Sequence, residues 1–534
     1  MFDKLTELLS KGEYQEALYE FQEEYFYIDE LSPSDVAKLR VLEASIWEGL
    51  NDGASEVEAL YKGLSFDYTN YEIYYMLGLY YQNINVNWAY LCMEMALKYC
   101  NVGEDRAVIE SSFDVIKNKP GVRVRGTSVV ILSYNDLEIM RMCLDSVENY
   151  APLESTEIIV VDNASTQEGV RDYLLEKEKT SRLKLKLILN DENVGFPKGC
   201  NLGAGYANTE NDIFFLNNDA VLMPLSLFWL RMGLYDSRDV GATSALSNKA
   251  SLQDFDHRAF TSFVGVMADM AGVDKQEYSK IYESLIKNSD VAWHRLTDTK
   301  IALSLFQQFV LLQELHSKNQ YVNVFRLTAF AVLVSRKALN DVSFDGQIFD
   351  ELYSPGYFED DDLGIRIACA GYKQYICKNS YIFHNGGGGD GFSAHSDAME
   401  ESRKKFEEKW GFDIWSFSLP WDSACQEVLR LSELNKGMLK VLDFGCGFGA
   451  NASFIKSKTP NVYIAGVCAN SFAAGIAGKI ADEVAFGEAN TVRLPWEDHS
   501  FDVVIAEKTY VSRGQIGRYL KQGGIAICED EFPL

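Results

Sequence analysis

A chain of 534 residues exceeds one ordinary domain and is expected to hold three or four. Its 47% hydrophobic and 13% aromatic content can build several buried cores, which excludes a disordered polymer. A net charge of −28, from 78 acidic and 50 basic residues, argues against nucleic acid or an anionic membrane as the main partner. A phosphate-bearing ligand would therefore have to be met by a metal ion or by local donors.

Residues 1 to 117 read as helix after helix. Gly12 to Leu18 with Phe21 place small and aromatic residues at helical spacing. Tyr74, Leu77, Gly78 and Tyr81 on one helix then face Ala89, Met93 and Ala96 on the next. This pattern resembles a tetratricopeptide repeat, a kind of module that binds proteins; ordinary helical-hairpin packing is the alternative. A basic linker, Lys117 to Gly126, leads into a different rhythm. Thr127 to Asn135 predicts a buried strand with a polar end, followed by a helix from about Leu137 to Tyr150. Further strands are expected at Glu157 to Asn163, Leu185 to Leu189 and Asp212 to Leu216, with a helix over Gly199 to Ala207. Strands alternating with helices predict an α/β fold with a mostly parallel sheet, whose ligands bind at the strand carboxyl ends. Tyr134, Asn135, Asp162, Asn163, Asn217, Asn218 and Asp219 collect at those ends.

A helical insertion at about 252 to 324 carries Tyr278, Tyr282, Trp293 and Phe306, suited either to a lid or acceptor-facing wall or to scaffold packing. Glu359-Asp360-Asp361-Asp362 opens the next helix. Four adjacent carboxylates repel one another, so they are either an exposed helix start favoured by the helix dipole or part of a site. His384 ends the apolar run Tyr381 to Phe383. The last hundred residues begin with a strand and glycine turn, Lys440 to Gly449. The ten cysteines show no CxxC pair and no zinc-like spacing, as expected of reduced thiols. No signal peptide and no run of ~18 apolar residues is evident, so a soluble, cytoplasmic protein is expected.

Seven motifs in register resemble family 2 glycosyltransferases of the GT-A fold. They are Ile131 to Asn135, Val160 to Ser165, Asn193 to Gly203, Leu216 to Ala220, Phe358 to Arg366, His384 and Lys409 to Gly411. The resemblance covers roughly 126 to 418. Lys440 to Gly449, Ser500 to Ile505 and Leu520 to Ile527 look like the front part of a class I S-adenosylmethionine methyltransferase, over 425 to 534. Two departures stand out there. Cys468 takes the place of the usual ribose-binding acid, and the chain ends before the family's final strands. No S-adenosylmethionine binding is therefore expected, although Glu488 and Asp502 are candidate substitutes for the missing acid.

The first resemblance implies inverting, metal-dependent transfer of a sugar from a nucleotide diphosphate, most simply a UDP-sugar, to a hydroxyl. It implies donor binding by Ser133, Tyr134, Asn135, Asp162, Asn193, Gly195, Lys198, Asn201, Asn217, Asn218 and Glu359. Asp219 and His384 become ligands of Mn²⁺ or Mg²⁺, although Asn217 departs from the family's Asp-x-Asp motif. Asp360 becomes the general base, its proton affinity raised by its neighbours. A helical module beside a transferase also occurs in bacterial flagellin glycosyltransferases, which suggests a protein acceptor. A polysaccharide or lipid-linked acceptor, or a non-catalytic scaffold, is the competing expectation.

Overall fold

The computed structural model describes residues 2–24, 31–248, 250, 253–255, 257–271, 296–311, 320–386, 396–506 and 511–528. The chain divides into two compact units that cut across the linear segments. The first is Met1–Tyr321, Thr328–Pro355 and Ile376–Ser396; the second is Val322–Leu327, Gly356–Tyr375 and Asp397–Leu534.

In the first unit, helices Pro33–Gly49, Gly53–Phe66, Tyr71–Tyr81, Val86–Tyr99 and Gly103–Lys117 follow one another. Ser32, Asp52, Asn70 and Asn85 each accept a backbone N–H at a helix start, which sets where each helix begins. The small-residue pattern has a physical use: a Cβ on Gly78 would lie 2.6 Å from the Met93 terminal methyl. These helices share a core with the domain that follows. Tyr61 meets Trp229 at 5.3 Å between ring centroids, and Tyr74 meets Phe228 at 5.7 Å. The Lys117 to Gly126 linker is pinned, with Arg123 N–H donating to Asn87 and Arg125 N–H to the Tyr235 hydroxyl.

The strands of the first unit are β1 Thr127–Ser133, β2 Thr156–Asp162, β3 Lys184–Leu189, β4 Asp212–Asn217, β5 Ala220–Leu222, β6 Val240–Leu246, β8 Ala331–Val334 and the part of β9 Lys373–His384 from Ile376 on, with β7 Tyr321–Val324 between β6 and β8 in the chain. Their order is β3-β2-β1-β4-β8-β6-β9-β5. β3, β2, β1 and β4 are parallel, whereas β8 runs antiparallel to β4 and β6. Chain order reverses between β1 and β4, so a crevice is expected at their carboxyl ends. Of the insertion, helices His257–Ala271 and Leu296–Leu311 are described; Tyr278, Tyr282 and Trp293 lie outside the described residues. Phe260, Phe306 and Phe309 are buried with Val221, Tyr381 and Phe383, so this part of the insertion is scaffold.

The second unit holds helix Glu359–Cys369, helices Ser396–Trp410 and Asp422–Leu434, and a five-stranded sheet. Its strands are β10 Leu439–Phe444, β11 Val462–Cys468, β12 Glu483–Phe486, β13 Phe501–Ala506 and β14 Leu520–Cys528. The order β12-β11-β10-β13-β14, parallel throughout, is Rossmann-like. Among the described residues no helix is long and apolar enough to cross a membrane.

Candidate functional site

Pairing register brings Ser133 opposite Asp162, and Leu132 opposite Asn217, so the polar ends of β1, β2 and β4 form one row. Ser133 is fully buried, and among the described residues its Oγ and the buried Asn218 Nδ2 have no hydrogen-bond partner. Both atoms lie at the carboxyl ends of β1 and β4, where a sheet of this order is expected to bind its ligand. Tyr134, 43% exposed, stands beside them. Asn135 adopts φ 59° and its side-chain oxygen accepts the Thr166 and Gln167 N–H groups, fixing the loop after β2.

Asp162 is fully buried, and the Arg171 Nε lies 2.8 Å from its Oδ2. Nothing near Asp162 in the sequence reveals this partner. Arg171 comes from the next helix, and its guanidinium also donates to the Asn190 carbonyl. A carboxylate offers about four acceptor positions, so Asp162 Oδ1, which among the described residues takes a single 3.3 Å bond from Ser165 N–H, retains capacity.

The glycine-interrupted loop serves the fold as much as any ligand. Asn193 accepts from the Asn163 side-chain amide and from Gly195 N–H. Gly195 has φ +81°, and a Cβ there would lie 2.8 Å from both Pro355 Cα and Pro355 O. Its close approach is to Pro355, whose carbonyl also accepts the Phe196 N–H at 2.7 Å. Asn201 commits its amide to the 348–351 loop: it accepts from Ile348 and Phe349 N–H and donates to the Phe349 carbonyl and Glu351. Lys198 is exposed.

The strongest convergence is around Asp219. β5 pairs antiparallel with β9, setting Ala220 opposite His384. The His384 Nε2 then lies 3.3 Å from Asp219 Oδ1 and 3.5 Å from Asn217 Nδ2. Asp219 Oδ2 accepts the Gly386 N–H at 3.0 Å. Asn248 holds the histidine backbone from both sides, accepting its N–H and donating to its carbonyl, and Phe330 lies against the ring at a tilt, with centroids 4.9 Å apart. Neither Asn248 nor Phe330 is marked by its local sequence. Two adjacent ligands of one octahedral Mg²⁺-sized ion stand about 3 Å apart, so this oxygen and nitrogen fit one divalent cation. Among the described residues no third acidic, histidine or cysteine side chain joins them.

In the second unit the four carboxylates prove not to be an exposed helix start. Glu359, Asp361 and Asp362 are buried; Asp360 is not. Asp362 is met by Arg366 at 2.8 Å, by Lys409, and by the Trp410 indole at 2.9 Å. Arg326 Nε lies 2.9 Å from Asp361 Oδ1. Burial pushes the Asp361 carboxyl up to about 7 although Arg326 opposes the shift, and burial followed by the Asp360 charge raises Glu359 well above the usual range. Asp360 keeps a local bond, its Oδ1 accepting the Asp361 N–H at 2.9 Å.

Strand order and direction define an α/β domain on a largely parallel sheet with polar carboxyl ends, and a second, Rossmann-like parallel sheet. Residues 128–257 match the family profile Glycosyl transferase family 2, and residues 442–528 match Methyltransferase domain. A curated sterol 24-C-methyltransferase, ERG6B of Gibberella zeae, is 33% identical over 100 residues, covering 16% of this chain and 26% of that protein. The chain thus spans about a quarter of that relative. Among solved structures, GalNAc-T7 with UDP, GalNAc and Mn²⁺ is 13% identical at a TM-score of 0.37, covering 56% of this chain and 50% of that one. The mannosyltransferase PcManGT from Pyrobaculum calidifontis, in complex with GDP-Man and Mn²⁺, is 14% identical at a TM-score of 0.33, covering 70% and 82%. TarS 1–349 of S. aureus is 14% identical at a TM-score of 0.31, covering 62% and 81%.

Proposed function

We propose that the chain is an inverting glycosyltransferase that uses a nucleotide diphosphate sugar, with UDP as the favoured nucleotide. The observation that carries this is the pairing of His384 with Asp219, which lies with Ser133 and Asn218 in the segment 128–257 that matches family 2. Asp219 Oδ1 and His384 Nε2 would hold a Mn²⁺ or Mg²⁺ ion. Such an ion supplies positive charge to the diphosphate as it leaves, which matters on a chain of net charge −28.

The chain's own groups do the rest. Asp162, oriented by Arg171, accepts from the base or ribose. Ser133, Tyr134 and Asn218 line the nucleotide, and Lys198 offers a cation to the phosphates. Asp360 takes the proton of the acceptor hydroxyl while that oxygen bonds to the anomeric carbon and the carbon–phosphate oxygen bond breaks. Back-side attack inverts the anomeric centre, and a positioned base contributes roughly 10²- to 10⁴-fold. Glu359, whose carboxyl burial and the Asp360 charge raise well above the usual range, is a further substrate-binding group. A protein acceptor is favoured by the helical module, with flagellin Ser or Thr one candidate. Release of free nucleotide from a panel of nucleotide sugars, with and without Mn²⁺, tests the reading. Metal-stimulated release from one donor is expected, and its absence across the panel would reject it.

A further inference from the structure

The glycine turn after β10 is fully formed, with Gly445, Gly447 and Gly449 at φ +79°, +53° and +83°. In a cofactor-binding sheet such a turn lets a nucleoside approach the backbone. Here the chain itself fills that approach. A Cβ on Gly447 would lie 2.8 Å from the Phe417 carbonyl oxygen and 3.0 Å from its Cα, and Phe448 N–H donates to the same carbonyl at 3.1 Å. Phe448 is fully buried, with ring centroids 4.7 Å from Phe325, 5.1 Å from Phe412 and 5.5 Å from Phe417. Neither candidate substitute for the ribose-binding acid is set there by a contact. Asp502 lies at the opposite, amino end of its strand, accepting the Lys440 N–H and pairing with Lys521, and the Glu488 carbonyl closes a turn. The site residues therefore do not fit S-adenosylmethionine.

What the turn holds instead is the short segment 322–327. Asn323 donates to the Lys479 carbonyl at 3.0 Å and accepts the Ser453 hydroxyl at 3.2 Å. Phe325 stacks on Phe448, and its carbonyl accepts from the Gln374 side chain. Arg326, next in sequence, pairs with Asp361, and Gly364 lets the helix close on it: a Cβ there would lie 3.2 Å from Arg326 Cα. The Lys479 ammonium donates to the Ala368 carbonyl in the last turn of the acidic helix, where the helix dipole favours a cation.

We propose that the C-terminal Rossmann-like sheet is the seat of helix Glu359–Cys369: Lys479 and Phe448 are positioning residues for its carboxylates, and the glycine turn serves that packing instead of a nucleoside cofactor. The seat itself is independent of the chemistry; only its catalytic consequence rests on Asp360 being the base.

Hydrogen–deuterium exchange on the full chain reads the seat without any activity. Lys479→Met changes an exposed side chain, so the fold should survive. Loss of a charge-assisted bond at the helix end should speed exchange of the 363–369 amides roughly tenfold, while β1 is unchanged and Lys479→Arg restores protection. In the transfer assay the same variant should lower kcat several-fold at constant donor KM. Unaltered helix exchange in Lys479→Met would overturn the seat. A loosened helix with normal kcat would overturn the positioning role, whereas wild-type protein without turnover would reject the glycosyltransferase reading and leave exchange to decide the seat. Calorimetric titration with S-adenosylmethionine should show no binding at micromolar concentration; stoichiometric binding would contradict the filled turn.

Discussion

Asp219 and Asp360 carry different parts of the account, and their variants should separate. Asp360→Asn keeps the shape and removes the base, so kcat should fall by at least about 10² while nucleotide binding persists. Near-normal turnover would move the base to another carboxylate. Asp361 gives a pH signature. Its carboxyl is raised to about 7 by burial, so the folded protein binds a proton that the unfolded chain releases between about pH 4 and 7. That contribution to stability is present below the unfolded value and is lost as pH rises through about 7. Asp361→Asn should therefore flatten the decline of melting temperature from about pH 5 to pH 8; an unchanged slope would assign the decline to Glu359 and other groups. At this scale the sequence was only half legible. Asp219, Asp360 and His384 stand in recognisable motifs, but Arg171, Arg326 and Asn248 are brought to their partners by tertiary packing, and no local pattern marks them.

Strands and helices of the parallel sheet were the most legible elements, because apolar runs such as Val129 to Leu132 and Ile158 to Val161 end abruptly in polar residues. Helix Phe196–Gly205 starts three residues before the expected Gly199, since Pro197 suits the first turn. Less legible was the way the N-terminal helices join the sheet domain. A repeat pattern reads as a detachable module, yet Trp88 donates its indole N–H to the Met232 carbonyl and Glu94 forms a buried ion pair with Arg231. Glu94→Ala would leave the Arg231 guanidinium buried and unpaired, which should cost about 3–5 kcal/mol in urea unfolding. Replacing both partners with Leu and Met should recover much of that loss. A cost below about 1 kcal/mol for Glu94→Ala would show that water reaches Arg231. Deletion of residues 1 to 117 should likewise expose Trp229 and Phe228 and give insoluble protein, so acceptor recognition is better probed by surface point variants.

At the scale of the whole molecule, the two compact units do not follow the linear order of the motifs: the acidic helix folds with the C-terminal sheet, not with the β1–β4 crevice residues. Linear reading assigns Phe358 to Arg366 to the segment that surrounds it, because sequence carries no direct record of which long-range packing wins. The same limit hid the use of the Gly445 to Gly449 turn, whose residues suit a cofactor locally and are filled by Phe417 only in the folded chain. In the proposed function, Asp219 and His384 would form a divalent-cation site for a nucleotide diphosphate. Calorimetric titration of UDP into metal-free protein, repeated with Mn²⁺ and with Asp219→Ala, tests it most directly. The account predicts UDP binding that tightens at least tenfold with Mn²⁺, and no such gain in the variant; equal UDP affinity with and without Mn²⁺ in the wild type, or the same Mn²⁺ gain in Asp219→Ala, would contradict it.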